Sequence, residues 1–111
     1  MIVALHSRIK PGHEEAYERD HQAIPAEMVA EFGRLGVHDW QIWRSGRDLF
    51  HIVDCEDFEV LMRALEESEP NARWQEFISQ HVAGFATLAD GPAGTSLPQV
   101  WALSRQIRDS A

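Results

Sequence analysis

Residues 37–55, VHDWQIWRSGRDLFHIVDC, decide the fold. Both ends of the stretch are rich in aromatic and β-branched residues, and the middle, Arg44-Ser45-Gly46-Arg47, is turn chemistry. Strands over 37–43 and 48–55 joined by that turn make a β-hairpin. Because strand side chains alternate between two faces, Trp40 and Ile42 share one side while Trp43 lies on the other. A sheet with bulky residues on both faces needs two covers.

Working outward, residues 3–9 alternate Val3, Leu5, Ser7 and Ile9 against Ala4, His6 and Arg8, the pattern of a strand, and Lys10-Pro11-Gly12 ends it. Between that strand and the hairpin, Tyr17, His21, Ile24, Met28, Phe32 and Leu35 recur at steps of three and four, one helical face. Gly33 and Gly36 close it, Gly36 as a C-terminal cap. Pro25 lacks an amide hydrogen and clashes with the carbonyl of His21, so the helix is expected to bend there. Downstream, Phe58, Leu61, Met62 and Leu65 mark a second helix. Pro70 interrupts it and opens a further segment whose stripe is Trp74, Phe77, Ile78, His81, Val82 and Phe85. Residues 90–96 read as a loop and 97–103 as a last strand, with Pro98 placing it at an edge or at its own start.

The order β-α-β-β-α-β, with the second helix broken in two, predicts one α+β domain over residues 1–111. It is a ferredoxin-like plait with an antiparallel sheet and helices on one face. The other face is then expected to meet the C-terminal tail or a second subunit, a homodimer being the simpler solution.

A chain of 111 residues with 44% hydrophobic and 25% charged residues suits one real core. Its net charge of −8 disfavours nucleic acid and anionic membrane surfaces, both of which select basic patches. Cys55 is the single cysteine, which excludes a disulfide framework and a cysteine-based zinc site. The N-terminal apolar run is too short for a signal peptide and no stretch reaches the length of a membrane span, so cytoplasmic residence is expected.

Tyr17 and His21, four apart, are neighbours on a helix face that also carries Ile24 and Met28 and must therefore look at the sheet. An imidazole is the side chain best matched to proton transfer near neutral pH, and a phenol one turn away can orient it or bind a ligand hydroxyl. Taken alone, a histidine on an apolar face is more often a satisfied core residue. Two polar rings together shift that reading, since both need partners when buried. Trp40 and Trp74 can stack on the C–H faces of a sugar, although tryptophans in a small domain are commonly core. Gln75 can bind hydroxyls or simply face water. His51 and Cys55 lie ~13 Å apart along a strand, too far for a catalytic dyad. Six histidines without H-E-x-x-H give no metal site, and no phosphate loop, G-x-S-x-G elbow or dinucleotide fingerprint is present.

An ordered set of residues then adds a resemblance. His13-Glu14-Glu15 leads into Tyr17-x-x-x-His21. Pro25-Ala26-Glu27 follows, then Gly36-Val37-His38-Asp39-Trp40-Gln41-Ile42-Trp43, Leu49-Phe50 and Arg73-Trp74. In these the sequence resembles the L-rhamnose mutarotases, small cofactor-free sugar epimerases of the dimeric α+β barrel type. The resemblance implies His21 as proton donor, with Tyr17, Trp40 and a pair beginning at Trp74 contacting the sugar, and no cofactor. It departs from the family pattern at Trp40, commonly tyrosine, and at Gln75, which replaces a second tryptophan. The segment from Trp43 to Phe50 with Asp57-Phe58 is similar to members associated with L-fucose. Three other readings fit the same residues: an L-fucose mutarotase, a cofactor-independent monooxygenase of the same barrel type, and a non-catalytic sugar-binding module.

Overall fold

The computed structural model describes residues 1–85 and 96–110, and its sheet grows from the hairpin. Strand β2 (Val37–Ser45) runs two residues further than expected and pairs with β3 (Asp48–Cys55) from Ser45↔Asp48 onward. Only Gly46 and Arg47 are left in the loop. Gly46 takes φ +59°, the first-position conformation that a tight hairpin turn reserves for glycine.

Strand β1 (Ile2–Ile9) lies antiparallel to β3, and its other edge carries β4 (Val82–Phe85) along Ser7 to Ile9. The order β2-β3-β1-β4 is that of the expected ferredoxin-like plait. The fourth strand itself differs. Residues 97–103 are not a strand, and the helical stripe expected to reach Phe85 stops at Ile78. The spacing of Trp74, Ile78, His81, Val82 and Phe85 mimics a helical face. However, β-branched Val82 and Gly84 are poor helix formers, and the edge of β1 offers them a ladder. Around 97, the Leu97 N–H donates to the Ala4 carbonyl at 2.7 Å, and Pro98 has no N–H to continue a ladder. The chain ends in helix α5 (Leu103–Ser110), none of whose residues is buried. The loop expected over 90–96 lies outside the described residues apart from Ser96.

The first helical face is also two helices rather than one bent one. Helix α1 (Glu14–Asp20) stops before His21, and α2 (Ala26–Arg34) starts after Pro25, whose carbonyl accepts the Met28 and Val29 amides. The proline that cannot continue a helix here begins one. Gly36, at φ +85°, ends the α2 segment as expected. Helix α3 (Phe58–Glu66) is capped by Asp57, whose carboxylate accepts the Val60 amide. Helix α4 (Glu69–Ile78) is capped by Ser68 and carries Pro70 in its first turn, where no amide is needed. A short 3-10 turn, Ser79–His81, links it to β4.

The helices cover one face of the sheet. Val3, Leu5, Ile9, Leu49, Val53 and Cys55 point into that core and meet Met28, Leu61, Leu65 and Ile78. The opposite face keeps Ile2, Trp43, Phe50 and Ile52 exposed.

Candidate active site

The end of α1 is where proton chemistry can gather. His21 is the first residue past the helix, and its backbone N–H closes the last turn on the Tyr17 carbonyl at 3.1 Å. Four-residue spacing therefore survives the helix end. The Tyr17 and His21 rings lie 4.2 Å apart at 31°, and the His21 and Trp74 rings stand nearly perpendicular, 5.1 Å apart at 80°. The His21 Nδ1 lies 3.4 Å from the Tyr17 carbonyl oxygen. A carbonyl can only accept, so this contact favours hydrogen on Nδ1 and leaves Nε2 with its lone pair. Burial pushes the His21 pKa below its ordinary value, against the opposing pull of the Tyr17 carbonyl and Asp20. Burial drives the Tyr17 phenol strongly upward, so it stays protonated at any working pH.

A second cluster fixes this corner from behind. His81, buried in the 3-10 turn, donates from Nε2 to Asp20 at 2.7 Å, and its Nδ1 faces the Nδ1 of His13 at 2.9 Å. One of those two nitrogens carries the shared hydrogen. The His81 bond is the main cause holding the Asp20 carboxyl below its usual range. It ties the last residue of α1 to the chain after α4, which sets where His21 sits. Read as one more residue on a helical stripe, His81 had no such role in sequence.

Tyr17, His21, Trp40, Trp74 and Gln75 all line one cleft of about 1220 Å³ between the sheet and the helices. That is ample beside the ~300–1,000 Å³ of common small-molecule sites. Trp74 is buried, so it serves as wall more than as an open stacking face. Gln75 is exposed at the mouth, its amide 3.4 Å from the Asn71 side chain. Trp40 is half-buried against Phe32, with ring centres 5.4 Å apart. Its indole N–H is already engaged, donating to His51 Nδ1 at 3.1 Å. His51 in turn meets the Ser7 hydroxyl through Nε2 at 2.8 Å. Both His51 and Ser7 are buried and line the cleft floor.

In the sequence alone, His51 stands out only by its spacing from Cys55, which is too long for a dyad. The signal that would have found it is the hairpin register. Ile42↔His51 and Trp40↔Val53 make Trp40 and His51 diagonal neighbours on the cleft face. Burial, then the nearby His21 and His6, lowers the His51 pKa to about 4, so it is neutral near neutral pH. Among the described residues no group of three or more histidine, cysteine, aspartate or glutamate side chains could hold a metal ion. No helix among them is long and apolar enough to cross a membrane.

Comparison with known proteins adds to this geometry. The family model described as L-rhamnose mutarotase matches residues 2–103. An L-rhamnose mutarotase of Oceanobacillus iheyensis is 28% identical over 95 residues, covering 84% of this chain and 88% of its own. The crystal structure of an L-rhamnose mutarotase from Formosa agariphila superposes with TM-score 0.74 at 17% identity, covering 93% of this chain and 98% of its own. Tetracenomycin F2 cyclase of Streptomyces glaucescens, a type II polyketide cyclase, has the same fold. Its TM-score is 0.62 at 13% identity, covering 92% of this chain and 95% of its own.

Proposed function

The chain belongs to the L-rhamnose mutarotase family of carbohydrate isomerases, and from that premise we propose that it interconverts the α and β anomers of L-rhamnose. The observation that carries the reading is the half-buried His21, its ring 4.2 Å from that of Tyr17 in an aromatic cleft. Mutarotation opens the pyranose hemiacetal, turns about C1–C2, and recloses it on the other face of C1. Opening takes a proton from the anomeric hydroxyl as the C1–O5 bond breaks and returns one to the ring oxygen; closing reverses both. His21 with a lone pair on Nε2 starts as the base and, once protonated, serves as the acid. The Tyr17 phenol orients a sugar oxygen or assists the transfer. Trp40 presents an aromatic face to the ring, Trp74 walls the cleft, and Gln75 takes a hydroxyl at its mouth. The reaction has no net redox change and no leaving group, so these groups suffice for it.

The working unit in this reading is a cytoplasmic homodimer. The exposed apolar face of the sheet supports the pairing, and the reduced, buried Cys55 suits that compartment. Saturation-transfer NMR of L-rhamnose, with L-fucose alongside, tests the activity directly. His21→Ala is expected to lose ~10²–10⁴-fold of the exchange rate, the usual contribution of a positioned acid/base. A loss of less than tenfold removes His21 from the mechanism.

A further inference from the structure

Ser7, His51 and Trp40 stand on three adjacent strands, β1, β3 and β2, and face the same cleft. The registers Ser7↔Leu49, Leu5↔His51 and Trp40↔Val53 place each diagonally next to its neighbour, one polar line across the sheet. The line has a fixed direction. An indole N–H can only donate, so the 3.1 Å contact makes His51 Nδ1 the acceptor. The neutral ring then carries its hydrogen on Nε2 and donates it to the Ser7 hydroxyl at 2.8 Å. The indole plane is held by this hydrogen bond, by the His51 ring nearly perpendicular to it at 6.1 Å, and by Phe32 at 5.4 Å. Trp40 therefore shows the cleft a rigid hydrocarbon plate with no donor to offer.

We propose that His51, held by Ser7, is a positioning residue that makes Trp40 a selector for the deoxygenated edge of the sugar. This rests on the mutarotase reading and assigns the substrate feature that the wall recognises. A methyl at C6 loses nothing by resting on such a plate. A C6 hydroxyl seated there gives up water and finds no partner, because the one polar atom of the indole is occupied. With His51 replaced by an apolar residue, the indole N–H becomes available to that hydroxyl and the discrimination weakens.

The test compares anomer exchange of L-rhamnose with that of L-mannose, its 6-hydroxy counterpart, in the full-length protein. Wild type is expected to favour L-rhamnose in kcat/KM by at least about tenfold, the scale of discrimination a hydrophobic wall achieves. His51→Leu should lower that ratio at least threefold, mainly through KM. It should also shift the Trp40 indole N–H resonance in proton–nitrogen NMR. His51→Asn keeps an acceptor near the Nδ1 position and should restore both ratio and resonance. A wild type with no exchange on either sugar sinks the mutarotase reading and takes this inference with it. Exchange with no preference for L-rhamnose, or a ratio within twofold of wild type in a His51→Leu protein whose indole resonance has moved, overturns this inference alone.

Discussion

His21 carries opposing influences, and their balance fixes when the base of the proposed mechanism is available. Burial is the largest and disfavours the imidazolium; the Tyr17 carbonyl and Asp20 favour it, and His81 works against it. The net effect is a pKa below the usual ~6.5. The lowered value means the neutral base persists as pH falls through 6.5 and is lost only further down. For a neutral sugar, kcat/KM reports the titration of the free enzyme. We therefore expect an acid limb with its midpoint below pH 6.5, absent from the residual activity of His21→Gln. A midpoint at or above 6.5 would mean the ring is wetter than its packing suggests, or that another group titrates. The Tyr17–His21 pair was legible in the sequence because helical spacing alone makes residues four apart neighbours. Trp40 was legible as a candidate, but its link through His51 to Ser7 was not, because that contact depends on two strand registers, and a slip of one residue in either turns a side chain to the opposite face.

Secondary-structure elements show the same division between local and long-range causes. The hairpin could be read because its turn and both strands lie within one stretch of sequence. The turn tightened by two residues once β2 extended to Ser45. The break at Pro25 was visible, but whether the chain bends or starts a new helix depends on what α2 packs against. β4 was missed because four residues are too few to display a period of two, and their spacing happened to extend the stripe of α4. Gly36 is a position where local geometry leaves little choice. It sits at φ +85° between α2 and β2, and an added Cβ would lie 3.2 Å from the Glu56 Cγ. Its carbonyl also accepts the Glu56 amide at 3.0 Å, tying the start of β2 to the end of β3. Gly36→Ala is expected to destabilise the fold by about 1–2 kcal/mol, the cost of a left-handed conformation for a residue with a Cβ. Urea unfolding should show a lower midpoint at unchanged slope. An unchanged midpoint would show that the backbone relaxes out of the left-handed region at no cost.

At the scale of the whole molecule, the question is what covers the second face of the sheet. Ile2, Trp43, Phe50 and Ile52 share that face, and Trp43 stands directly opposite Phe50 in the β2–β3 ladder, 63% exposed. His6 stacks on Phe50 at 4.8 Å and holds Asp48, with Arg8 bonded to the same carboxylate, so one side of the apolar stripe ends in charge. An apolar centre with a polar margin is the anatomy of an interface rather than of a solvated surface. The C-terminal segment covers little of it among the described residues, touching the edge of β1 through Leu97 and leaving Val100, Trp101, Leu103 and Ile107 exposed. With a net charge of −8, two chains repel at long range, so pairing must come from burying these rings and branched side chains. Trp43→Asp places a charge at the centre of the patch, on a side chain that is already largely exposed. We expect wild type to sediment at twice the mass of one chain at micromolar concentration, and Trp43→Asp to sediment as a folded single chain with an unchanged far-ultraviolet circular dichroism spectrum. His6→Ala, at the polar margin, should weaken association only modestly, since groups at the rim contribute little. A wild type that stays monomeric at those concentrations would leave the face to water and remove the reason for its composition.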